Sequence, residues 1–350
     1  MNCMNYKMAR LAAMAALTAG AITPMAALAQ SSVTIYGRMD TSFENSKTGS
    51  ISQTLITGNA SRLGFKGVED LDGGLKVLFG LEMGISSDTG AASTPMYRNS
   101  YVGVSGDFGV VNIGRIDSAA PSRTPIYAIL SRNVEYVIHD AGATAIGTSI
   151  FNARTRVSNA IGYASPVINN FVFRAGHYLN GEGLPETAAG PIRFESDYKQ
   201  TDVSLSYGEG GGPLGLGIGY GRDSKRGGAL LNDFKNKWML IGSYDFGGVR
   251  AWAVYNRDNF AGGPLSRSKV DAQMIGASWD LTPTSKVMAN YIRKDVQSDP
   301  AAKLKRFQAG YSYKMSNRTS LYAFYDRQDP NNRVANDVIR VYGVGIQHNF

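Results

Sequence analysis

The chain has 350 residues, 43% of them hydrophobic, with 41 glycines, 19 tyrosines, 14 phenylalanines, one cysteine and a formal charge of +8. Apolar and aromatic residues spread from end to end exclude a disordered chain, and a lone Cys3 excludes a disulfide scaffold or a cysteine-based metal centre. The positive charges are scattered, with no lysine-rich run, so the net charge carries no nucleic-acid footprint.

Lys7 and Arg10 precede an apolar run from Leu11 to Ile22, and Ala27-Leu28-Ala29 supplies the small-x-small pattern of a signal peptidase site. That run is about 12 residues, against the roughly 20 a spanning helix needs. Residues 1–29 are therefore expected to be a signal peptide. The remainder, 30–350, has no cysteine and a charge of +6 once Lys7 and Arg10 are gone.

From there the chain alternates with period two. At the C-terminus Tyr342, Val344, Ile346, His348 and Phe350 share one face, and Gly343, Gly345, Gln347 and Asn349 the other. Phe307, Ala309, Tyr311, Tyr313 and Met315 repeat the pattern, as do Val287, Ala289 and Tyr291, whose polar face is broken by Met288. In 235–246, Trp238, Leu240, Gly242, Tyr244 and Phe246 form one face, while Met239 and Ile241 interrupt the other. Tight turns are expected at Asp72-Gly73-Gly74, Asp107-Phe108-Gly109, Pro166 to Asn170, Gly211-Gly212-Pro213, Phe246-Gly247-Gly248, Thr282-Pro283-Thr284 and Ser316-Asn317. Longer polar connections are expected near 45–50, 88–96, 118–153, 181–196, 223–234, 259–268, 297–303 and 329–337.

Seven short and eight long connections in strict alternation imply sixteen strands. This is the pattern of an all-β, 16-stranded antiparallel transmembrane β-barrel, with apolar residues toward lipid and polar ones toward a water-filled lumen. It also reconciles a mean hydropathy of −0.19 with a membrane protein, because only half of each strand meets lipid. An open sheet edge in hydrocarbon would leave backbone groups unpaired, so the last strand is expected to pair with the first near Val33 to Asp40.

Several segments resemble the trimeric general porins of Gram-negative outer membranes, in their β-proteobacterial form. They are Ser31 to Arg38, Ser61 to Leu71, Tyr101 to Gly109 with Ile113-Gly114-Arg115, Asn159 to Pro166, and Val344 to Phe350. The resemblance implies passive diffusion of ions and small hydrophilic solutes, a homotrimer, contact with outer-membrane lipid and lipopolysaccharide, and a terminal Phe350 read by the outer-membrane assembly machinery. It also implies that the third loop, about 118–153, folds inward and narrows the pore. Its charged residues are Arg123, Arg132, Glu135 and Asp140, with Asp117 at its root, and it lacks the family's common acidic Pro-Glu/Asp-Phe-Gly stretch. The family's basic wall maps onto Arg38, Arg62, Arg115 and Arg156, with Arg154 competing with Arg156. An arginine facing lipid at mid-membrane would cost about 2–4 kcal/mol, so lumen positions are expected.

The excess of arginines over acids points to a preference for anions. An eyelet site selecting organic or inorganic anions is the alternative; a barrel enzyme or an adhesin is the reading from another class. His139, His177 and His348 have no second ligand or nucleophile at useful spacing, so no cofactor, metal or catalytic site is expected. The glycines of Gly208 to Gly221 read as a turn and a strand with small lumen residues.

Overall fold

A computed structural model describes residues 32–136, 144–147, 149–179, 199–224, 234–260, 268–297, 299–331 and 338–350. Residues 1–29, expected to be a signal peptide, lie outside the described residues.

The strands are β1 (Ser32–Thr48), β2 (Ile51–Gly58), β3 (Ser61–Asp70), β4 (Lys76–Ile85), β5 (Ala92–Gly106), β6 (Gly109–Asp117), β7 (Arg156–Ala164), β8 (Phe171–Leu179) and β9 (Lys199–Tyr207). They continue as β10 (Leu214–Asp223), β11 (Phe234–Asp245), β12 (Val249–Phe260), β13 (Lys269–Thr282), β14 (Ser285–Val296), β15 (Asp299–Lys314), β16 (Thr319–Asn331) and β17 (Ile339–Asn349). One helix, α1 (Pro125–Asn133), lies between β6 and β7. Every neighbouring pair is antiparallel, and pairing of β1 with β17 closes the sheet.

β2 and β3 are two halves of one strand. Ser32–Arg38 of β1 pairs with β3, and Thr41–Thr48 pairs with β2. The break falls at Asn59-Ala60, where Ala60 has φ +58°, and counting the halves together gives sixteen strands. Among the described residues no helix is long and apolar enough to cross a membrane; the crossing is made by strands.

All seven tight turns are where the glycine, proline and asparagine signals place them. At the first, Gly73 and Gly74 take φ +77° and +80°, which a side chain would oppose. Two of the long connections are not long. β1 runs to Thr48 and turns at once into Ile51, and β14 ends at Val296 just before Asp299 begins β15. Polarity marks where a hairpin leaves the lipid, not where its hydrogen-bond ladder stops. The seam also shifts: β17 pairs with Arg38–Thr48 of β1 and Phe350 bonds Gly37, leaving Val33 to Tyr36 to β3. Closing a barrel of tilted strands requires such a stagger.

The two faces separate as the alternation predicts. Tyr342, Val344 and Ile346 of β17 and Trp238, Leu240 and Tyr244 of β11 are exposed on the outer wall, whereas Asp40, Ser42 and Glu44 of β1 are buried on the inner one. The main apolar core is not between sheets. It lies inside the barrel, where Ile126, Ile129, Leu130, Ile146, Ile150 and Phe151 of the β6–β7 connection pack against Met239, Ile241, Trp252, Val254, Met274 and Ile292 of the wall.

Candidate functional site

The described residues of the β6–β7 connection, 118–136, 144–147 and 149–155, fold into the lumen. α1 starts with Pro125 at its first turn, and Ile126, Ile129 and Leu130 recur at helical spacing. Those side chains meet β10, whose inward face is Gly215, Gly217, Gly219 and Gly221. A Cβ on Gly217 would sit 2.8 Å from Ile129, and one on Gly219 3.0 Å from the same side chain. The glycine run is a seat for the helix. Met239 and Ile241, which break the polar face of β11, are its apolar floor.

Ionic contacts hold the loop's return. Arg154 reaches Asp202 and Asp223, both nearly inaccessible. Lys237, 1% exposed, donates to the carbonyls of Phe151 (2.7 Å) and Asn152 (2.5 Å) and lies 3.4 Å from Asp258. Glu135 is bound to Lys286 (2.9 Å) and lies 3.9 Å from Arg250. It is therefore tied to the wall beneath the loop instead of facing a basic wall across the pore. Asp140 and His139 lie outside the described residues.

On the other side of the lumen three guanidinium groups share two carboxylates, and a fourth stands beside them. Arg98 donates to Glu82 at 2.8 Å and lies 3.7 Å from Asp117. Arg62 is 3.6 Å from Glu82, and Arg156 is 2.7 Å from Asp117. Arg38 pairs in register with Arg62, donates to the Asn349 side chain, and has Arg62, Arg98, Asp40 and Glu82 as electrostatic neighbours. Glu82 also accepts from the Tyr36 hydroxyl, and Asp40 from that of Tyr322. Glu82 and Asp117 are 1–2% exposed, while Arg62 and Arg156 keep 21% and 36% of their side-chain surface. The acids are covered and the cations reach the water.

The sequence alone does not single out Arg98. It does single out Arg115, which the register assigns elsewhere. Asn112 and Ile116 of β6 are buried inward, so Arg115 has the parity of Ile113, which is 51% exposed on the outer face. It stands opposite Ser100, next to Val102 against Ile113, and donates to Ser158 at 2.6 Å. Arg115 follows the alternation that carries Asn112 and Ile116 inward, whereas Arg98 stands opposite a register break between Glu82 and Met83. An extra residue in a bulge inverts which face the next side chain takes. Arg154 and Arg156 do not compete: the first anchors the loop and the second joins the wall.

Arg123 and Arg132 belong to a second cluster, near the β9–β10 turn. Arg132 donates to the Gly208 carbonyl. Arg174 of β8 donates to Glu209 (2.8 Å) and Ser206 (3.1 Å), and Arg123 has Arg174, Arg132 and Glu209 as electrostatic neighbours. Burial raises the Glu209 carboxyl, but hydrogen bonds from Arg174 and Ser206 outweigh it and hold the group below the usual carboxylate range. His177 and His348 contact Thr201 and Thr319 at strand positions away from both clusters.

A family model described as Gram-negative porin matches residues 13–333. The chain belongs to the Gram-negative porin family. This porin is 30% identical over 313 residues to outer membrane porin protein 32 of Delftia acidovorans, spanning 87% of this chain and 86% of that protein. An outer membrane porin protein of Bordetella pertussis is 25% identical over 379 residues, 93% of this chain and 96% of its own length. A solved structure described as an anion-selective porin from Comamonas acidovorans matches with a TM-score of 0.74 and 25% identity, over 92% of this chain and all of that one. The porin is an outer-membrane protein, and its lumen is the path for diffusing hydrophilic solutes.

Proposed function

We propose that this porin conducts small hydrophilic anions in preference to cations, and that the wall of Arg38, Arg62, Arg98 and Arg156 sets the preference. The observation that carries the reading is the shared arrangement of Arg62, Arg98 and Arg156 around Glu82 and Asp117, with Arg38 beside Arg62. The carboxylates hold the guanidinium groups in place, and the surplus of cations leaves the wall positive. An anion passing it exchanges part of its hydration for charge-assisted N–H donors already oriented. A cation loses hydration and gains no such partner. The description of the Comamonas acidovorans structure as anion-selective agrees with this reading.

The same proposal includes assembly as a homotrimer in contact with lipid and lipopolysaccharide, with Phe350 as the assembly signal. Family membership and the exposed apolar outer wall support it. Work by conduction, without chemical turnover, follows from the channel reading. The test is the zero-current potential of the channel in a KCl gradient across a planar bilayer. A potential of the sign set by chloride is expected; one set by potassium would overturn the proposal.

A further inference from the structure

Arg174 donates to Glu209, Arg132 donates to the neighbouring Gly208 carbonyl, and Arg123 lies within electrostatic reach of both arginines and of Glu209, so three cations stand near one carboxylate. Arg174 is 6% exposed, and its Nε makes no hydrogen bond. Arg123 is exposed on a loop that itself lies inside the barrel, so its guanidinium meets lumen water. It is held there by a backbone at φ +48°, a left-handed conformation that a non-glycine residue rarely takes. A buried, incompletely paired guanidinium beside two further cations is costly unless an anion completes it.

This cluster is separate from the wall of Arg38, Arg62, Arg98 and Arg156. Arg174 of β8 stands opposite Ala164 of β7, and Arg156 lies eight residues before Ala164. At about 3.3 Å per residue and a tilt of about 40°, the second cluster is about 20 Å nearer the turn-side mouth. That exceeds the Debye length of roughly 8 Å at physiological salt, so the two clusters act on a passing ion one after the other.

We propose that Arg123, Arg132 and Arg174 form a second binding station for small oxyanions, phosphate or carboxylate, at the turn-side mouth of the pore. The station rests on the anion-conducting reading and adds a site to it. Guanidinium forks match the spacing of two oxygens on a tetrahedral or planar oxyanion, which a single halide cannot use. An oxyanion therefore dwells at the station longer than chloride does.

The test uses the full protein as single channels in a planar bilayer with KCl, and inorganic phosphate added to each side in turn while chloride current is read. Wild type is expected to show block that saturates from one side at lower phosphate than from the other. Arg123→Gln is expected to raise the half-blocking concentration on that side by about fourfold, the effect of one charge at about 5 Å in water. Arg123→Lys, which keeps the charge, is expected to recover part of the block. A thermal unfolding midpoint near that of wild type identifies a folded variant. Anion preference with no phosphate block, or block unchanged in Arg123→Gln, overturns the station and leaves the anion-conducting reading standing. Cation preference of wild type removes that reading itself.

Discussion

The wall made by β1 to β7 and the wall made by β8 to β15 line the same lumen, yet their inner faces are built on different principles. The first carries Arg38, Arg62, Arg98 and Arg156 beside covered carboxylates, with Arg62 and Arg156 reaching the water. The second carries glycines, Met239, Ile241, Met274 and Ile292, and is covered by the loop. Beneath the loop, charge on the covered side is matched, Arg154 with Asp202 and Asp223 and Lys237 with Asp258; the cluster at Arg174 near the turn end is the exception. The difference shows how one polypeptide sets both the width and the charge of a pore. One wall is sacrificed to hold the constriction so that the other can face the solute.

If the covered wall is structural, its variants should act on stability. The largest effect is expected for Arg154→Gln, which leaves two buried carboxylates without their cation. A loss of about 3–5 kcal/mol is expected, read as a fall in the thermal unfolding midpoint with increased current noise. Arg156→Gln, on the open wall, should leave that midpoint nearly unchanged, since its side chain is 36% exposed. Ile129→Ala empties a fully buried position between α1 and β10, and about 2–5 kcal/mol of loop docking is expected to go with it. Gly217→Ala is smaller, about 1–3 kcal/mol, because its Cβ would press on Ile129 and Ile241. It pushes the helix into the lumen, so single-channel conductance should fall while anion preference remains.

The strand pattern was legible because a barrel wall between lipid and water imposes alternation on every strand, and because turns need residues with special backbone freedom. Even the exceptions carried information. Met239 and Ile241 spoiled a polar face and Gly208 to Gly221 gave a run of small residues; together they mark the landing place of a helix. The helix itself was readable from Pro125, Ile126, Ile129 and Leu130 at helical spacing, a signal that the length of the connection hid. The site was less legible for a definite reason. Side-chain direction follows from position only while the register is unbroken, and Arg98 stands beside a break. Family resemblance, not alternation, points to Arg115, and alternation along β6 gives it the parity of Ile113. Arg174 was missed because its significance depends on Glu209 and on a loop some fifty residues earlier.

The central claim is that Arg62, Arg98 and Arg156, which share Glu82 and Asp117, and the adjacent Arg38 set the ion preference, and that Arg115 does not. The most direct measurement compares chloride-to-potassium permeability ratios, from zero-current potentials in a KCl gradient, for wild type, Arg98→Gln and Arg115→Gln. Glu82 keeps Arg62 and the Tyr36 hydroxyl as partners when Arg98 is replaced, so the wall should survive the change. The account predicts a marked fall in anion preference for Arg98→Gln and a ratio close to wild type for Arg115→Gln. A fall for Arg115→Gln with no change for Arg98→Gln would contradict it.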